Sequence, residues 1–143
     1  MRTLHVGLRI ADLDRSLAFY TGLGYEVVGN VPETEFGSLT MLKLPDDEFV
    51  SLELVHGQGG REPGSRGLNH IVIQVESMTD VVAQLSSQRA QVEQPGSPDG
   101  SDDFWTAWVT DPDGYRIELV QWPAGHPAGM TAADFSETAP ESR

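Results

Sequence analysis

Residues 5–10, His5-Val6-Gly7-Leu8-Arg9-Ile10, are rich in β-formers and alternate in polarity, which predicts a strand. The period then lengthens. Asp12 is a capping residue, Leu13, Leu17 and Tyr20 follow at helical spacing, and Gly22-Leu23-Gly24 supplies the stop. Three apolar runs at 25–31, 39–44 and 49–55 read as strands, with turns expected at Pro32-Glu33-Thr34 and Pro45-Asp46-Asp47. After a glycine-rich stretch the order repeats. A strand is predicted over 70–75, and Ser77-Met78-Thr79-Asp80 opens a helix running to about Arg89. A short strand begins at Val92, a loop covers 95–103, and a strand follows over 104–110. The tight turn Asp111-Pro112-Asp113-Gly114 then leads into a last strand over 115–122.

The repetition carries chemistry. His5 and His70 are 65 residues apart (70 − 5), and so are Glu53 and Glu118 (118 − 53). Each histidine opens an apolar strand, and the glutamates sit in nearly identical strings, Leu52-Glu53-Leu54-Val55 and Ile117-Glu118-Leu119-Val120. Leu8 also aligns with Ile73, Ile10 with Val75 and Leu17 with Val82, with no net insertion. The chain is therefore read as an α+β protein built by duplication. Residues 1–56 form a first βαβββ module, 57–68 a Gly-rich linker, 69–122 a second βαβββ module and 123–143 a C-terminal tail. That tail, rich in Pro, Ala, Gly, Ser and Thr, is expected to be disordered, with Met130 and Phe135 as the residues that could anchor it on a partner subunit.

Composition narrows the partners. A formal net charge of −13 argues against nucleic acid and anionic membrane surfaces. There is no cysteine, hence no disulfide framework and no thiolate ligand, which fits a cytoplasmic protein. No apolar run is long enough to span a bilayer, and the first residues lead straight into a strand. A small molecule remains as the expected partner.

A glutamate inside a Leu-Glu-Leu-Val strand points away from its apolar neighbours. One of these residues alone would most simply be a solvated group on a wet sheet face. Four ligand-type residues at equivalent places in two repeats instead suggest one metal held by His5, Glu53, His70 and Glu118. Two imidazoles and two carboxylates suit nickel or zinc first, with iron, cobalt or manganese as alternatives. They leave octahedral positions open, which implies Lewis-acid chemistry. His56 and His126 are expected to be exposed.

Several strings resemble the vicinal oxygen chelate superfamily, which includes glyoxalases, bleomycin-resistance proteins and dioxygenases. They are Leu4-His5-Val6-Gly7-Leu8-Arg9-Ile10, Asp12-Leu13-Asp14-Arg15-Ser16, Phe19-Tyr20, Gly67-Leu68-Asn69-His70-Ile71 and Asp111-Pro112-Asp113-Gly114-Tyr115-Arg116-Ile117-Glu118-Leu119. Within that superfamily the likeness to bacterial glyoxalase I, over about residues 1–122, is greatest. The resemblance implies a curled mixed sheet around a metal, with His5, Glu53, His70 and Glu118 at the four ligand positions. It also implies isomerisation of a 2-oxoaldehyde–thiol hemithioacetal to a 2-hydroxyacyl thioester. Glu118 would be the principal base, and Glu53 a ligand and second base. Arg9, Asn69, Trp105 and Trp108 would contact substrate, with at most one of the two tryptophans facing the pocket. In relatives of this size the site is shared across a homodimer, although both modules could close it within one chain.

Three departures bear on the substrate, the first being that Tyr20-Thr21-Gly22-Leu23-Gly24-Tyr25 is about one residue shorter than the family's usual helix-to-strand join. Where glyoxalase I has a loop of basic character, this chain has Pro98-Asp99-Gly100-Ser101-Asp102-Asp103, and the neighbouring tryptophans predict a more aromatic pocket. Two other readings follow from the same resemblance. One is a protein that sequesters a drug or natural product; the other is an iron-dependent ring-cleaving dioxygenase using His5, His70 and Glu118.

Overall fold

The computed structural model of the chain describes residues 1–57, 62–64 and 66–135. Part of the expected linker, and the tail beyond Phe135, lie outside the described residues. In chain order the elements are β1 (Val6–Arg9), α1 (Leu13–Leu23), β2 (Glu26–Thr34), β3 (Gly37–Lys43), β4 (Leu52–His56), β5 (Ile71–Gln74), α2 (Met78–Ser87), β6 (Gln91–Val92), β7 (Trp105–Thr110) and β8 (Arg116–Gln121), followed by a short 3₁₀ turn at Ala132–Phe135. The strands form two four-stranded sheets, β1-β4-β3-β2 and β5-β8-β7-β6. In each, the first strand lies parallel to the last and the remaining pairs are antiparallel.

The duplication extends to hydrogen-bond register. Gly7 stands opposite Glu53 and Leu8 opposite Leu54; 65 residues on, Val72 stands opposite Glu118 and Ile73 opposite Leu119. A one-residue slip would have turned each glutamate into the core. Leu8, Leu52 and Leu54, like Ile73, Ile117 and Leu119, are instead buried in the core. Glu53 and Glu118 consequently lie on the opposite face of their sheets, away from the helices.

Both helices start where the sequence indicates. Asp12 accepts the Arg15 amide at 3.0 Å and Ser77 accepts the Asp80 amide at 3.2 Å. Their ends differ from expectation. The first runs through Leu23 and is capped by Gly24 at φ 122°, whereas the second stops at Ser87, with Arg89 in the left-handed region at φ 60°. The expected turn at Pro32 is also corrected, because β2 continues through it to Thr34. Since β2 is an edge strand and its pairing shifts register between Val31 and Thr34, Pro32 removes no ladder hydrogen bond there. The fourth strand begins at Leu52, with Phe49 half-exposed outside the sheet.

The Asp111–Gly114 turn joins the modules. Buried Asp111 accepts the Tyr20 hydroxyl at 2.7 Å as well as the Asp113 and Tyr115 amides. Asp113 accepts the Ala11 amide and the Ser16 hydroxyl, and the Tyr115 hydroxyl donates to the Arg9 carbonyl at 2.8 Å. Burial holds the Asp111 carboxyl above its ordinary range despite these donors, and burial with the neighbouring carboxylate pushes the Tyr20 phenol well up. A seam of this kind orients one sheet against the other. Along the second module, the tail expected to be disordered instead folds back as far as Phe135.

Candidate functional site

In the first module β1 and β4 lie side by side, and His5 Nε2 approaches Glu53 Oε2 at 3.0 Å. Gly7 stands opposite Glu53 in register, and a β-carbon added there would make only ordinary van der Waals contact with Glu53 Oε2, at 3.7 Å. Both side chains reach solvent, at 34% for the imidazole and 15% for the carboxylate. Arg9, on the same strand, donates to the carbonyls of Phe36 at 2.6 Å and Gly57 at 3.2 Å.

The equivalent pair in the second module is more elaborate. His70 Nε2 lies 3.3 Å from Glu118 Oε2, with the two side chains 30% and 23% exposed. Asn69 Oδ1 sits 2.6 Å from His70 Nδ1 and, being an acceptor, receives a hydrogen bond from a proton on that nitrogen. The remaining nitrogen then presents a lone pair toward a carboxylate oxygen. In that tautomer a proton or a metal ion between the two would satisfy both, and the carbonyl-oriented imidazole matches the way ligating histidines are held. The donor set therefore fits a divalent ion. Trp108 packs edge-on against His70, with ring centroids 4.9 Å apart, and the Arg116 guanidinium lies 4.7 Å over the indole while pairing with Glu93 at 3.2 Å.

Among the described residues no group of three or more His, Asp or Glu converges on one point. Closure of all four positions within a single chain is therefore not what the structure has. Each copy brings its own histidine and glutamate together, but β1 and β5 belong to separate sheets and are not paired with one another.

The other expected residues separate by strand face. Trp108 stands opposite Glu118 in register and shares its face. Trp105 falls on the other face, packed against the core with its indole donating to the Asp102 carbonyl at 2.9 Å, so it does not join the pocket. Asn69 acts on His70 rather than standing free toward substrate. Neither remaining histidine is a freely exposed side chain. His56 is half-buried against Thr40 at 3.1 Å, where burial and then the Arg9 charge lower its affinity for a proton. His126 stacks on Trp122 at 4.3 Å and meets Asp134 at 2.6 Å. Sequence reasoning missed Arg116 and Trp122. The strand period does place both on the face of Glu118, since they lie two residues before and four after it.

The description "Glyoxalase/Bleomycin resistance protein/Dioxygenase superfamily" matches residues 2–119. The chain belongs to that superfamily. It is 30% identical over 125 residues to the lactoylglutathione lyase of Salmonella typhimurium, an alignment covering 85% of this chain and 93% of that one. It is 31% identical to a probable lactoylglutathione lyase of Synechocystis, covering 85% and 95%. Among solved structures, the trypanothione-dependent glyoxalase I of Leishmania major matches with a TM-score of 0.68 at 32% identity, covering 85% of this chain and 86% of that one. As a member of the superfamily the chain shows two modules of four strands and one helix whose sheets are not closed on each other. No helix among the described residues is long and apolar enough to cross a membrane.

Proposed function

We propose that this protein is a metal-dependent lyase of the glyoxalase I type, converting the hemithioacetal of a 2-oxoaldehyde and a thiol into a 2-hydroxyacyl thioester. One observation carries the reading: equivalent His–Glu pairs stand at matched register in two modules, in a chain whose relatives are lactoylglutathione lyases. His5, Glu53, His70 and Glu118 would hold the ion, with two chains combining so that the pair of one first module meets the pair of its partner's second. Half-exposed Leu4, Val6 and Val72 flank the two histidines and would be covered in that dimer. Nickel or zinc suits the nitrogen–oxygen set best.

When bound, the ion supplies Lewis-acid stabilisation of negative charge on the two neighbouring substrate oxygens. Glu118 takes the proton from the carbon bearing sulfur and returns it to the adjacent carbon, while the hydroxyl proton on the first carbon passes to the oxygen of the second, so that the first becomes the thioester carbonyl and the second carries the hydroxyl. No atom is gained or lost. His70, its Nδ1 proton held by Asn69, keeps the geometry of that carboxylate fixed. Glu53, hydrogen-bonded to His5, serves as ligand and second base, and Arg9 is the group available to an anionic thiol. The pairing of Glu53 with His5 favours this four-ligand isomerase over a three-ligand oxygenase.

The test is to reconstitute the protein with nickel or zinc and assay methylglyoxal with several low-molecular-weight thiols, while weighing the particle in solution. Thioester formation by a dimer holding one ion per chain is the expected result. A loaded, folded protein inert toward every thiol would exclude the reaction.

A further inference from the structure

The apolar pocket that Met130 and Phe135 of the tail wall beside His70 and Glu118 belongs to the proposed active site. A separate cleft of about 670 Å³ lies on the helix side of the sheets, between α1 and the end of α2. Gln84 and Gln88 fix that junction by donating to the Gly22 carbonyl at 2.8 Å and 3.3 Å. Arg15 and Phe19 line it from α1, Arg89 and Gln91 from the segment after α2, and Thr110 from the end of β7. Arg89 is its unusual residue. It stands 65 positions after Gly24 (89 − 24), and both close a helix with positive φ, 60° and 122°. The Arg89 and Ala90 amides return to the Ser86 and Leu85 carbonyls, as those of Gly24 and Tyr25 return to Thr21 and Tyr20. Glycine suits such a turn because a β-carbon there is strained. The Arg89 guanidinium nevertheless has no ion pair or hydrogen bond among the described residues. Strain that no local contact explains points to a function for the side chain.

We propose that this cleft binds a phosphate monoester whose organic part is small and partly apolar, at a site separate from both His–Glu pairs and independent of the lyase reading. Charge selects the phosphate. Two arginines line one cleft in a chain of net charge −13, and two guanidinium forks match the oxygens of a dianion. Arg15 is free to turn toward it, being 54% exposed and only 3.5 Å from Asp113 at its nearest. The acids beneath are satisfied from within the seam. Asp111 accepts the Tyr20 hydroxyl and two amides, and Asp113 accepts the Ala11 amide and the Ser16 hydroxyl. Size selects the rest of the ligand. The cleft is far larger than a phosphate group, and half-buried Phe19 gives it an apolar wall.

The test titrates phenyl phosphate, inorganic phosphate and benzoate calorimetrically into the full chain, both metal-free and zinc-loaded. Phenyl phosphate should bind about tenfold more tightly than either of the others, with the same affinity whether or not zinc is present. Arg15→Gln and Arg89→Gln should each weaken it about tenfold. Arg89→Gly supplies the sharpest check, because it removes the guanidinium and the strain together. It should lose binding to the same extent while raising the melting temperature by about 2 °C, a gain that Arg89→Gln does not share. Phenyl phosphate that fails to bind, or that binds Arg89→Gly as well as the parent, would overturn the site. Equal affinities for the three probes would overturn the phosphate ester as occupant. Binding that appears only with zinc would place the probe at the metal and overturn the cleft. A melting temperature that does not rise in Arg89→Gly would show that the arginine is structurally at ease there, and would overturn the argument from strain.

Discussion

The two copies of the duplicated unit share a scaffold and differ in what surrounds the histidine. In the first, His5 and Glu53 hold each other at 3.0 Å beside a glycine, and the neighbouring Arg9 spends two of its N–H donors on backbone carbonyls and keeps the others. In the second, His70 is fixed by Asn69 on one side and flanked by Trp108 on the other, and its carboxylate partner is more distant and more exposed. Gly7 has become Val72 at the equivalent register position. A self-satisfied pair is suited to completing a coordination sphere. An oriented imidazole beside a looser carboxylate, next to an apolar pocket, is suited to chemistry. The ligand types recur in both copies, and on the proposed reading the different surroundings would divide holding the ion from taking the proton.

The strongest challenge to that division is to neutralise each carboxylate in turn. Glu118→Gln should lower kcat by about 10²–10⁴, the range of a lost general base, with an unchanged melting temperature. Glu53→Gln should act mainly through metal retention, seen as a lower ion-to-protein ratio. Equal kcat losses from the two substitutions, at equal metal content, would erase the asymmetry.

Next comes the orientation of the imidazole. Asn69→Ala should weaken metal affinity about 10–100-fold, the usual effect of losing a partner behind a ligating histidine. Competition with a chromophoric chelator measures it, and an unaltered affinity would mean that Asn69 does not set the His70 tautomer. On the first-module side, Arg9→Ala should raise KM for a negatively charged thiol conjugate about tenfold and leave kcat alone. An unchanged KM would take Arg9 out of the pocket.

The seam between the modules should register in stability. Tyr20→Phe leaves a buried Asp111 acceptor short of one donor, which costs about 1–3 kcal/mol and lowers the melting temperature by several degrees. A melting curve superimposable on the parent would show that the seam contributes nothing.

The smallest effect concerns the tail. The Asp134 carboxylate raises the His126 pKa above the 6.5 of a free histidine, so the histidine's share of the clasp is complete below 6.5 and is lost as pH rises through the raised value. The Thr131 amide and then His126 lower the Asp134 pKa below 3.8; its share is complete above 3.8 and is lost as pH falls through the lowered value. The clasp is therefore strongest between these limits. Proton NMR titration should place His126 above 6.5, and Asp134→Asn should bring it back down.

How much of this could be read from the chain alone depends on the range of the signal. The 65-residue offset, the alternation Leu52-Glu53-Leu54 and the caps Asp12 and Ser77 are local or periodic, and strand alternation and helix capping translate them directly into faces and ends. Pro32 misled because an edge strand tolerates it, and edge position is a property of the sheet. Trp105 and Trp108 were alike in the sequence, and register placed one beside Glu118 and the other against the core. The tail looked featureless because its order depends on Trp122, His126 and Asp134 meeting across several residues of irregular chain.

By itself the sequence determined the duplicated βαβββ order, the four ligand-type residues and the sheet face on which the glutamates stand. These follow from period and spacing, which are properties of neighbouring residues. Only the tertiary structure decided that each His–Glu pair closes within its own module, that the two pairs stay apart in one chain, and that the tail walls a pocket beside one of them. Those facts depend on which surfaces pack together once the backbone hydrogen bonds are satisfied, and sequence spacing carries no record of that.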